Sequence, residues 1–177
     1  GPFAVDKEYP NWNEEGEYDP LFKTIPQVNH VSVWNFFPDP DATNIDECQY
    51  VIERHKLSRS QLRALKKRPY FRGQVIDSCI ELGENYTKKS WEDDLSDYAP
   101  EHGIDRFEVL EYWGTVDVDL LEDQDVDIPE ELKDFDELQA NVWICNGKVI
   151  RMVLNPFKPA KIPYVAAPYE THTHSLV

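Results

Sequence analysis

Cysteine is scarce and poorly spaced for chemistry. The three present, Cys48, Cys79 and Cys145, lie far apart with no Cys-x-x-Cys pair. That argues against a zinc site, and an odd number fits poorly with a disulfide framework. They read as reduced, buried, small apolar side chains of a cytosolic setting. Glycine is also sparse, at seven residues, and there is neither a Gly-rich phosphate cradle nor a Gly-x-Ser-x-Gly nucleophile elbow. No stretch reaches the roughly 18 apolar residues of a membrane helix. The opening Gly1-Pro2-Phe3-Ala4 lacks the basic start and apolar run of a secretory signal, and Gly1-Pro2 reads as the remnant of a cleaved tag. Positive charge is in deficit: 18 Lys and Arg stand against 34 Asp and Glu, a net charge of -16. A surface that grips nucleic acid needs clustered cations. An acidic one can still face DNA if its task is to let DNA slide without sticking.

What is present is a chain built to fold. Of 177 residues, 41% are hydrophobic and 12% aromatic, richer than a disordered segment and enough for one domain with a core. Residues 1–27 show no period and read as an extended arm that orders only if Phe3, Tyr9, Trp12, Tyr18 or Phe22 docks on a partner. Val28 to Trp34 alternates and predicts a short strand, ended by Phe36-Phe37-Pro38-Asp39-Pro40-Asp41, where each proline removes a donor. Asn44 to Glu47 reads as a turn or single helical turn, and Cys48 to Lys56 as a second strand. Ser58 with Gln61 forms a capping-box signature, with Leu57 and Leu62 as its hydrophobic staple. That helix should run to about Lys67 and stop at Pro69. A second helix is predicted over Gly73 to Leu82, capped by Gly83, and a third, short one over Trp91 to Leu95.

Strand character returns from Arg106 to Val118, with Leu110, Tyr112, Gly114, Val116 and Val118 on one face. An acidic stretch, Asp117 to Glu137, follows. Ala140 to Cys145 and Lys148 to Leu154 flank Asn146-Gly147, the strongest short hairpin signal, which predicts Ile144 opposite Val149 and Trp143 opposite Ile150. Ile162 to Tyr169, with Pro163 and Pro168, reads as a last, edge-type extended segment. The fold class is therefore α+β, strand-rich with a small helical cluster inserted. The domain limits expected are an arm at 1–27, a domain at 28–170 and a tail at 171–177.

Little catalytic chemistry is legible, so the chain is not expected to be an enzyme, and no cofactor or metal is assigned. His172 and His174 form a His-x-His pair in a polar tail without carboxylate or Cys at ligand spacing. His30 and His55 fall on predicted strands and read as polar face residues. Asp123-x-Asp125-x-Asp127 echoes a calcium loop, but Ile128 stands where the turn glycine is needed and the closing Glu is missing. Lys66-Lys67-Arg68 is the one concentrated basic run. It offers contact with a phosphate or an acidic neighbour, although charge complementing a helix C-terminus is the simpler reading.

Three stretches together resemble the portal (head-to-tail connector) proteins of tailed phages, especially the long portals of short-tailed phages. The first is Val31-Ser32-Val33-Trp34-Asn35-Phe36-Phe37-Pro38-Asp39-Pro40-Asp41-Ala42, followed by Tyr50-Val51-Ile52-Glu53-Arg54 and the Ser58 helix start. The second is Val109-Leu110-Glu111-Tyr112-Trp113-Gly114. The third runs from Asn141 to Arg151 and on through Asn155-Pro156-Phe157, Ile162-Pro163-Tyr164 and Pro168-Tyr169-Glu170. The resemblance covers roughly 28–170. It implies a wing-like part of a ring, usually a dodecamer in the full-length protein, at one capsid vertex of the virion, assembled in the host cytoplasm. Its partners would be other portal subunits, terminase, and tail or adaptor proteins, with double-stranded DNA passing transiently and no membrane involved. The channel helices of such proteins should follow the last strand, so this piece reads as truncated. Candidate interaction residues are Trp34, Phe36, Phe37 and Asp39 of the first stretch, with Lys66, Lys67 and Arg68. The alternatives are a protein-interaction domain of a mobile element using the aromatic arm, and a small hydrolase with an acidic site.

Overall fold

The computed structural model describes residues 4–13, 15–18, 21–26, 28–86 and 105–166. It divides into two units, Gly1–Ser32 and Val33–Val177.

In the first unit, β1 (Ala4–Tyr9) and β2 (Leu21–Pro26) pair antiparallel, with Ala4 opposite Pro26 and Tyr9 opposite Leu21. Trp12 and Tyr18 bridge across the connecting loop, their rings edge-on at 5.8 Å. Asn13 Oδ1 turns that loop by accepting the N–H groups of Glu15 and Glu17. The stretch read as an aperiodic arm thus contains a hairpin. Its signal is hidden because the strands are joined by a longer loop, turned by the Asn13 side chain and by Gly16 at φ +79°, rather than by a two-residue Asn-Gly turn. The strand expected over Val28 to Trp34 does not form. Residues 28–32 have no regular structure, Val28 is 98% exposed, and Val33–Asn35 is a single 3-10 turn. Alternation alone does not make a strand, and among the described strands none pairs with residues 28–32.

The second unit is α+β, built on a five-stranded antiparallel sheet in the order β3 (Phe36–Pro38), β4 (Tyr50–Leu57), β5 (Phe107–Asp117), β6 (Glu137–Cys145), β7 (Lys148–Leu154). The Phe36-Phe37-Pro38 segment, expected to end a strand, is itself the short edge strand, a place where a proline is tolerated. Helix α1 (Arg59–Ala64) starts with the reciprocal cap the sequence predicts. Ser58 Oγ accepts the Gln61 N–H at 3.2 Å, and Gln61 Oε1 accepts the Ser58 N–H at 2.8 Å. The helix tightens into a 3-10 turn at Leu65–Lys67. Ser58→Ala should therefore lower unfolding free energy by about 1 kcal/mol, read as a smaller urea midpoint at unchanged m-value; no change would mean that the cap contributes nothing. Helix α2 spans Gly73–Leu82 and ends at Gly83 with φ +90°. The helix expected over Trp91 to Leu95 lies outside the described residues.

Both faces of the sheet are covered. On one, Leu62, Leu65, Ile76, Cys79 and Ile80 from the helical cluster pack on Phe107, Val109, Trp143, Cys145 and Ile150. On the other, Val118 and Leu121 of α3 (Val118–Asp123), with Ile128, pack on Ala140, Val142 and Met152. The acidic stretch is thus pinned by apolar residues rather than freely solvated. It also explains why β5 is not one-faced as predicted. Phe107, Val109, Glu111 and Trp113, on the side opposite to the expected apolar face, are the more deeply buried.

At Asn146 and Gly147 the φ angles are +50° and +70°, as a type I′ turn requires. Ile144 lies opposite Val149 as expected, but Trp143 lies opposite Arg151, not Ile150. A bulge between Trp143 and Ile144 shifts the register. It leaves Ile150 fully buried in the helix-side core and Arg151 beside Trp143. The edge strand expected at Ile162 to Tyr169 is absent over 162–166, which carry no strand pairing; 167–169 lie outside the described residues. Pro163 has no N–H to give a ladder.

All three cysteines are free thiols, Cys79 and Cys145 buried and Cys48 half-buried. Burial pushes the Cys145 thiol up to about 12 and raises Cys79 as well. In the native protein a thiol reagent at pH 8 should label Cys48 alone, with the other two reacting only in denaturant. Three equally fast thiols would contradict the packing.

Candidate functional site

Antiparallel register places Phe36, Glu53, Glu111, Trp143 and Arg151 side by side in one row across all five strands. Glu53 and Glu111 are direct cross-strand neighbours, an arrangement in which like charges repel. His55, two residues along β4 on the same face, resolves the conflict. Its Nε2 lies 2.9 Å from Glu111 Oε2 and its Nδ1 3.6 Å from Glu53 Oε1. The imidazole is held flat against Trp143, with centroids 4.8 Å apart and planes 4° from parallel. Phe71 backs that indole edge-on at 5.3 Å and carries the Arg151 guanidinium over its own ring.

The carboxylates are anchored from behind. Glu111 Oε1 accepts Trp113 Nε1–H at 2.9 Å and Asn141 Nδ2–H at 3.0 Å. Asn141 Oδ1 in turn accepts from Trp143 Nε1–H and from Arg151. Tyr164, brought back over the sheet by the segment after β7, donates its hydroxyl to Glu53 Oε2 at 2.7 Å and packs on Phe36. The core of the network is dry: Glu111 is 3% exposed and Asn141 0%. Burial pushes the Glu111 carboxyl up, but the hydrogen bonds from His55 and Asn141 and the charge of His55 outweigh it, so the group sits below the usual carboxylate range. Burial next to Glu111 and Glu53 holds the Tyr164 hydroxyl well above its ordinary range, so it stays protonated and donating. Burial lowers Arg151.

Among the described residues, Glu53, His55 and Glu111 are a trio whose donor atoms all lie within 4.8 Å of one another. Both ring nitrogens of His55 face carboxylates. The cluster pairs one imidazole with two carboxylates. It can hold a proton or a cation between two carboxylates.

The candidate residues read from the sequence fall elsewhere. Trp34 and Phe37, 54% and 45% exposed, sit at the β3 edge on the far face. There the buried Arg54 donates to Asn35 Oδ1 and the Trp34 carbonyl and lies over the Phe37 ring. Phe36 is half-buried against Tyr164. Asp39 is a turn residue: its carboxylate accepts the N–H groups of Asp41 and Gln49. Lys66 pairs with Asp77 at 2.6 Å, while Lys67 and Arg68 are exposed at the end of the helix. The fold gathers Trp34, Phe36, Phe37 and Asp39 at one sheet edge, and the basic run lies on a different element.

His55, read as an ordinary face residue, is the centre of the network, and His30 is on no strand. Glu53-x-His55 on one strand was a usable signal. Nothing local marks Glu111 among 34 acids as its partner. No known protein family matches the chain, and no curated protein is significantly similar to it.

Proposed function

We propose that this chain is a structural, non-enzymatic part of a tailed-phage portal ring, contributing to the channel through which DNA enters and leaves the capsid. The observation that carries the reading is where most of the three resembling stretches come to lie. Phe36–Pro38 and Tyr50–Arg54 of the first, Val109–Gly114, and Asn141–Arg151 of the third are adjacent strands of a single sheet, and Phe36, Glu53, Glu111, Trp143 and Tyr164 are neighbours in it, while Val31 and Ser32 carry no regular structure and 168–170 lie outside the described residues. Residues far apart in sequence are thus accounted for by one packed body. Glu53, His55, Glu111, Asn141 and Tyr164 are joined by hydrogen bonds across that body, as befits a rigid element that meets neighbours. The net charge of -16 suits a component past which DNA moves without adhering. Other copies of the protein, terminase, and tail or adaptor proteins are the partners this role requires.

Immuno-electron microscopy of particles of the virus that encodes this chain provides the test. Antibodies against the purified domain should label DNA-emptied particles at a single vertex, and quantitative mass spectrometry should give about one dodecamer's worth of chain per particle. Labelling spread over the shell, or absence from the particle, would refute the proposal.

A further inference from the structure

We infer that Glu53, His55 and Glu111 form a binding site for one divalent transition-metal ion of the zinc, manganese or cobalt type. This inference is independent of the portal reading. One imidazole and two carboxylates are the donor set such ions take, whereas magnesium prefers oxygen and water alone. The stronger argument is how the donors are held. Each carboxylate has one oxygen tied back and the other aimed at His55. Glu111 Oε1 is fixed by Trp113 and Asn141, leaving Oε2 towards the ring, and Glu53 Oε2 is fixed by Tyr164, leaving Oε1 towards the ring. Outer hydrogen bonds that orient ligand oxygens in this way are the usual support of a metal centre. The Trp143 stack does the same for the imidazole.

The electrostatics agree. Two facing carboxylates, one of them buried, place negative charge side by side, and a divalent ion offsets it fully. Access is open from one side, because the His55 and Glu53 side chains retain 23% and 18% exposure while Glu111 forms the floor at 3%. The step balances simply. The metal binds one ring nitrogen, displacing any proton on it to buffer, and takes both carboxylates as anions.

The test uses the full chain carrying His172→Ala and His174→Ala, which removes the tail's own His-x-His metal contact. Added Zn2+ or Co2+ should raise Tm by about 5–10 °C at a hundredfold excess over Kd, and Mg2+ should not. Glu53→Gln, at the exposed end of the cluster, should abolish that shift while leaving the metal-free protein folded. No shift with any ion, or a shift undiminished in Glu53→Gln, overturns the site and leaves His55 as a proton bridge only. If Glu53→Gln does not fold, the unsubstituted cluster decides. Stoichiometric Co2+ should shift or broaden the His55 ring resonances first in NMR, and early loss of His30, His102 or backbone signals elsewhere overturns the proposal.

Discussion

His55→Ala is expected to lower the unfolding free energy by about 2–4 kcal/mol. The ring's own hydrogen bond is a small part of that. Its removal leaves Glu111, 3% exposed, facing Glu53 directly across two strands without the imidazole that contacts both, and the cost is that of like charges side by side, one of them buried, losing the partner they share. The effect is set toward the low side of buried-pair losses because the His55 side chain is 23% exposed and admits some water. A double-mutant cycle in urea separates the causes. Glu111→Gln removes the repulsion while keeping an acceptor for Trp113 and Asn141, so His55→Ala should cost far less in that background. Equal losses in both backgrounds would show that only the stack on Trp143 is being measured.

Gly114→Ala is expected to be comparably severe, about 2–4 kcal/mol, for a purely steric reason. A Cβ there would lie 2.6 Å from the Tyr50 Cβ and the Tyr112 hydroxyl and 2.8 Å from the Gln49 carbonyl. Two of these three are backbone or Cβ atoms that cannot rotate away. Tyr112 cannot yield freely either, since its hydroxyl donates to the Thr115 carbonyl at 2.7 Å and its ring stacks on Tyr50. Thermal unfolding should show a Tm lower by several degrees with the same native spectrum, whereas alanine at Gly147, in the turn, should be costly through its φ of +70° instead. A Gly114→Ala protein as stable as its parent would mean that β4 and β5 are not in the register described.

The sequence was most informative where the deciding forces are local. The Ser58–Gln61 cap, the limits of α2, the stop at Gly83 and the Asn146-Gly147 turn each depend on a handful of consecutive residues, and each could be read from them. Signals that depend on a distant partner were lost. The 4–26 hairpin needs two strands to find each other across a loop turned by Asn13, and the expected strand at 28–34 lacked any such neighbour. The face of β5 was read the wrong way round, because a central strand covered on both sides has no simple alternation to read. The site suffered most. His55 and Glu53 are two residues apart, but Glu111, Asn141, Trp143 and Tyr164 join them only through antiparallel register and one bulge.

The chain's composition and local order alone determined an acidic α+β domain, strand-rich, with a capped helical insert and a tight C-terminal hairpin. Only the tertiary structure decided which of its many carboxylates would be buried, and against what. Burial is a property of the assembled sheet: two glutamates become an electrostatic problem only once β4 and β5 pair, and a histidine becomes its answer only when Trp143 stacks on it.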